Sequence, residues 1–193
     1  IKIAQHYGQR KALIIATYLA VVLQFFMGLV LFFGNITKIS FIPSKINGIT
    51  VLFVVIFTLL NGCKSIINNM VVPMIADCCD YEMTRSGKYV PGLMGALFSF
   101  IEKAVSAFGT AFVGVVLTCI GFGKELPQVS DEATPIIVGA TLFLYCGVPI
   151  LGWIVTLLAM HNYELDKSRM QEIHQKNVEG RLEIKGERKE EEK

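Results

Sequence analysis

A chain of 193 residues that is 53% hydrophobic and 18% charged, with a mean hydropathy of +0.54, is too apolar for a soluble domain of this size. Its 18 Lys and Arg against 16 Asp and Glu leave a net charge of only +2. No basic patch is interleaved with aromatics, so nucleic acid is not expected as a partner.

Residues 1–11, "IKIAQHYGQRK", read as a polar, basic loop. They lack the pattern of a secretory signal and an initiator Met, and are expected to belong to a longer chain. The first charge-free stretch runs from Ala12 to Thr37, between Lys11 and Lys38. The second is interrupted: Ile46 to Cys63 is apolar, Lys64 intervenes, and Ser65 to Ala76 continues to Asp77. The third, Tyr89 to Gly123, is broken only by Glu102 and Lys103, and the fourth spans Ala133 to Met160 without a charge. Each exceeds the roughly 20 residues a helix needs to cross a bilayer, and lipid offers backbone groups no other partners. The expected fold is an all-α membrane protein with four transmembrane helices within 12–160, at about 12–34, 46–76, 92–122 and 134–160. Residues 161–193 read as a tail, amphipathic at first and then a disordered charge run, with His161 and His174 solvated.

Lys and Arg in the short loops set orientation. Lys2, Arg10 and Lys11 precede the first span, Arg85 and Lys88 lie between the second and third, and Lys167 and Arg169 follow the fourth. The other side holds Lys38, Lys45 and Lys124. The bias predicts both ends cytoplasmic. Cys63, Cys78, Cys79, Cys119 and Cys146 lack metal-ligand spacing and read as reduced packing residues, so no metal site is expected.

Glu102 and Lys103 stand about eleven residues from the nearer polar flank, near mid-bilayer at roughly 1.5 Å per residue. Charges there cost at least a few kcal/mol and normally face a protein interior or a wet cavity. Helical spacing groups Lys103 with Ser99, Ser106 and Thr110 on a narrow strip of small and hydroxylated residues. Adjacent helical residues do not face each other, so Glu102 and Lys103 each need a partner elsewhere. Asn61, Lys64, Ser65 and Asn68 follow i, i+3, i+4, i+7 spacing and form a polar stripe on the second span at matching depth. A Glu102–Lys64 pair, leaving Lys103 for a ligand, is one expectation; a purely structural ion pair is the other. The asparagines are equally suited to inter-helical hydrogen bonds. No enzymatic constellation is present: Ser99 and Ser106 adjoin Lys103 without an organised oxyanion site.

"PMIADCCDYEMTRSGKYVPGL", Pro73 to Leu93, reads as a loop holding Asp77, Asp80, Tyr81, Arg85 and Lys88. It is either a set of weak surface pairs or a latch that forms and breaks with a gate. The segment "ADCCDYEMTRSGKYVPGL", followed by "FSFIEKAVSAFG", resembles the ADxxDYGEWKTGKRAEGL…K motif of the glycoside–pentoside–hexuronide:cation symporters, the melibiose-permease-like branch of the major facilitator superfamily. Asp77, Asp80, Tyr81, Gly87, Lys88, Gly92 and Leu93 match in register, and Lys103 falls at the family's intramembrane lysine. "HYGQRKALII" resembles the basic loop before the ninth helix, and "YELDKSRMQEI" the post-membrane tail. Glu82–Met83 and Tyr89–Val90–Pro91 depart from the pattern and alter the loop's charge pairing.

The resemblance implies helices 9–12 of a twelve-helix carrier that couples sugar (glycoside, pentoside or hexuronide) to a cation by alternating access, with the substrate near the midplane between two halves. It implies no cofactor, a coupling Na⁺ or H⁺ bound in an N-terminal half outside this chain, and as partners a sugar or glycoside, the lipid bilayer and that half. Two lysines against one glutamate point toward an acidic sugar or an Asp–Lys103 pair across the interface. The rival readings are a non-transporting four-helix scaffold or accessory protein, and a small self-associating carrier.

Overall fold

The computed structural model describes residues 8–34, 39, 46–122 and 134–191. Lys2, Lys38, Lys45 and Lys124, which enter the charge-bias argument, lie outside the described residues. Four helices are long and apolar enough to cross a membrane: α1 Gln9–Phe33, α2 Gly48–Ser86, α3 Pro91–Cys119 and α4 Pro135–His161. A fifth, polar helix, α5 Lys167–Glu191, follows. There is no strand among the described residues.

Packing centres on α1. Its buried residues Ala12, Ala16, Ala20 and Gln24 recur every four positions, continued by Met27 and Leu31, and form one stripe on a helix. Three alanines in that stripe bring the backbones of α1 and α2 close, the usual solution where lipid removes any hydrophobic drive between helices. At one end Ala12 and Leu13 pack on Met70 and Met74, with Met160 and Tyr163 against them. At the other, Met27 and Leu31 pack on Ile56 and Cys146. The helix α3 differs, because none of its residues is buried. It meets α4 at Phe112 and Phe143, whose rings lie 6.3 Å apart.

The 39-residue α2 is about 58 Å long, well beyond a hydrocarbon layer of about 30 Å. It corrects the sequence reading at Pro73–Leu93: most of that segment is helix, not loop. Pro73 is carried inside α2, which ends at Ser86. Gly87 closes it at φ 71°, donating its N–H to Met83 O at 2.9 Å. A left-handed glycine after a basic last turn (here Arg85) is the usual helix stop. Residues 88–90 link directly to Pro91, whose missing N–H costs nothing at the start of α3.

The tail is folded back onto the bundle. Asp166 caps α5, accepting the Arg169 N–H at 2.9 Å. The Arg10 guanidinium donates from Nε and Nη2 to Met160 O (3.2 and 3.1 Å) and from Nη2 to His161 O (3.2 Å), so a cation closes the negative end of the α4 dipole. Glu172 pairs with Lys176 at 2.8 Å and Arg169 at 3.4 Å. The Lys176 hydrogen bond and charge hold its carboxyl below the usual carboxylate range. Met170 and Ile173 are buried, and they anchor α5 along α2. Ile173→Ala removes about 2 kcal/mol of that anchorage. Hydrogen exchange over residues 167–180 is expected to accelerate roughly thirtyfold while exchange in α1 and α2 holds; unchanged tail exchange would refute the docking.

Candidate functional site

The charged residues at mid-span do not pair with one another. Lys64 is half-buried and its Nζ lies 5.8 Å from the centroid of the Trp153 ring. The second and fourth spans thus meet through a cation over an indole face, a contact worth more when desolvated. This corrects the expected Glu102–Lys64 pair: the cation is turned to α4, not to α3. Glu102 and Lys103 are both exposed, and neither forms an ion pair with another described residue. The strip beside Lys103 is exposed as well, at Ser99, Ser106 and Thr110. The Thr110 hydroxyl donates back to Ser106 O at 3.1 Å, which satisfies it within its own helix.

The polar stripe of α2 behaves likewise. Asn61 donates from Nδ2 to Phe57 O at 2.8 Å, a bond within its own helix where one between helices was an option. Asn68 is exposed. Neither is engaged by α1, because the stripe lies off the α1-facing row of Ile56, Leu60, Cys63 and Met70.

At the far end of α2, the motif residues meet the tail and not the expected bases. Asp80 Oδ2 is 3.5 Å from His174 Nδ1, and Asp80 O accepts Asn177 Nδ2 at 3.0 Å. Thr84 donates its hydroxyl to Asn177 Oδ1 at 3.0 Å. Asp77 and His174 line one cleft of 200 Å³ between α2 and α5, with Met170 and Gln171. Arg85, Lys88 and Tyr81 are exposed, and Arg85 and Lys88 form no ion pair with another described residue. The contact Asp80 makes is therefore with α5, and His174, exposed as expected, also reaches Asp80. Beside this cleft Tyr163 is half-buried against Cys78 and Asp77. Burial, reinforced by these neighbours, pushes its phenol well above the ordinary tyrosine range. Of the five free cysteines, Cys63, Cys79 and Cys146 are buried and Cys78 is partly so, whereas Cys119 is exposed, which corrects its reading as a packing residue.

One buried polar contact joins α1 to α4. Gln24 is fully buried and donates from Nε2 to Tyr145 O at 3.0 Å. Tyr145 lies within a π-helical turn, Phe143–Gly147. Four residues on stands Pro149, which has no N–H for that carbonyl. The amide of Gln24 takes the place of the missing donor.

A family model described as MFS/sugar transport protein matches residues 1–167. The chain belongs to this family. It is 28% identical over 109 residues to the protein named glycoside/cation symporter YagG of Escherichia coli (strain K12), a match covering 56% of this chain and 23% of that one. It is 26% identical over 101 residues to the isoprimeverose transporter of Lactiplantibacillus pentosus, covering 52% of this chain and 20% of that one. These matched stretches thus span under a quarter of either relative. No solved structure matches the chain. Membership of a family of transport proteins fits a multi-pass membrane chain whose polar groups stand inside spans, and sets it apart from enzymes.

Within this family member, sequence reasoning missed Gln24, Trp153 and His174. Gln24 was detectable: it continues the four-residue recurrence of Ala12, Ala16 and Ala20, which places it on the buried face. Trp153 carried no signal, because α4 is apolar all round and shows no preferred face.

Proposed function

We propose that this chain is the C-terminal portion of a cation-coupled sugar symporter that works by alternating access, with an N-terminal half outside this chain completing the substrate cavity. The observation that carries the reading is α3: a membrane-length helix with no buried residue that keeps Glu102 and Lys103 at mid-span without an ion-pair partner among the described residues. Charge at that depth calls for water, ligand or an opposite charge, so this face is assigned to the cavity between the two halves. Lys103 donates hydrogen bonds to sugar hydroxyls or to an acidic group across the cavity, with Ser99, Ser106 and Thr110 beside it. Lys64, held over Trp153, is withdrawn from that role, which weakens the case for an acidic sugar. The coupling Na⁺ or H⁺ binds outside this chain. The shared end of Arg10, Lys167 and the α2 terminus faces the cytoplasm by the positive-inside rule, in the plasma membrane, with both termini on that side.

Counterflow in vesicles bearing the full-length carrier, with a panel of neutral and acidic glycosides and with or without Na⁺, tests this. A sugar that exchanges across the membrane, accelerated by Na⁺ or by acid pH, is the expected result. Vesicles that exchange no glycoside under any cation gradient would overturn it in favour of a scaffold.

A further inference from the structure

We propose that the cleft between the start of α1 and the start of α5 binds the phosphate headgroup of an anionic phospholipid. The cleft measures 370 Å³ and is lined by Arg10, Lys11 and Lys167, with Ser168, Asp166 and Ile14. That volume lies within the range of about 300–1,000 Å³ typical of small-ligand sites. Among the described lining residues are three cations and one carboxylate, and that carboxylate accepts the Arg169 N–H at 2.9 Å. Arg10 is fixed in place by its bonds to Met160 O and His161 O, so its charge is held at the cleft. Ser168 adds a hydroxyl donor. The composition suits a phosphate diester: fixed positive charge and a hydroxyl donor.

Position distinguishes a lipid from free phosphate. Arg10 and Lys11 stand at the first turn of α1, where the polar end of the helix gives way to its apolar run. Below the cleft floor at Ile14, the row Lys11, Ile15, Tyr18, Val22 follows i, i+4, i+7, i+11 spacing and is exposed throughout. Ile15 and Tyr18 are 55% and 59% exposed, so an acyl chain lies along them when a headgroup sits above. A basic pocket joined to an apolar helix face is the arrangement that recognises a lipid headgroup. A soluble phosphate would make no use of the apolar track.

The test titrates the full-length carrier in detergent with dioleoylphosphatidylglycerol, dioleoylphosphatidylcholine or inorganic phosphate, reading bound lipid by native mass spectrometry and melting temperature in parallel. Phosphatidylglycerol is expected to bind and raise the melting temperature, and the other two are not. Each basic group beside an anionic headgroup contributes roughly fivefold in affinity. The double variant Lys11→Gln with Lys167→Gln should therefore bind phosphatidylglycerol about thirtyfold more weakly, and Lys11→Arg with Lys167→Arg should retain it. Arg169→Gln with Lys176→Gln, outside the cleft, should leave binding unchanged. If the double glutamine variant does not fold, the exposed Lys11→Gln alone carries the comparison, at about fivefold. Equal binding of phosphatidylcholine, equal loss in the Arg169–Lys176 control, or protection by inorganic phosphate matching that by phosphatidylglycerol would each overturn the assignment.

Discussion

Lys103→Ala in the full-length carrier is expected to lower sugar uptake about thirtyfold or more while leaving thermal stability nearly unchanged. The two halves of that expectation come from separate observations. Removing one partner of a desolvated charge contact costs about 2–5 kcal/mol, and about 2 kcal/mol is already thirtyfold. Stability is another matter, because Lys103 is exposed and has no ion-pair partner among the described residues. Deleting a buried structural pair typically costs about 3–5 kcal/mol; no described residue pairs with Lys103, so its removal is expected to cost far less. Lys103→Arg, which keeps the charge but changes the donor geometry, should restore part of the uptake. Uptake assays on reconstituted protein, alongside melting curves, read both quantities. A large loss of stability with Lys103→Ala would mark the residue as structural, and full uptake with normal stability would remove it from the site.

Much of this arrangement is legible in the residue pattern, and the reasons for the gaps are physical. The four spans are legible because charge-free runs beyond about 20 residues have few alternatives. The end of α2 is not: "ADCCDYEMTRS" is polar enough to read as a loop, although those residue types tolerate a helix and Gly87 marks its stop. The pairing of Glu102 with Lys64 failed for a different reason. Depth along a span follows from counting residues, but rotation toward a particular neighbour does not, and Trp153 competes for the same ammonium. The surface pairs expected between the acids and bases of that segment do not form among the described residues, because α5 returns to the same place. His174 and Asn177 lie 94 and 97 positions from Asp80 in sequence, and no local pattern announces such contacts.

The contact between Gln24 and Tyr145 yields the most demanding test, because two distant residues, Gln24 and Pro149, are tied by one hydrogen bond. In a regular helix the N–H of residue 149 would serve the carbonyl of residue 145. Pro149 removes that donor, the turn Phe143–Gly147 opens into a π-helix, and Gln24 Nε2 occupies the vacated acceptor at 3.0 Å. Gln24→Leu preserves bulk but strips the donor from a fully buried position, leaving Tyr145 O unsatisfied in an apolar setting. The cost should be about 1–3 kcal/mol, read as a lowered melting temperature of the full-length carrier. In a Pro149→Ala background the backbone N–H is available again, so Gln24→Leu should cost markedly less. The interaction energy of this double-mutant cycle is expected to be about 1 kcal/mol or more. Additivity of the two substitutions would mean that the glutamine serves some other purpose and that the π-turn stands without it.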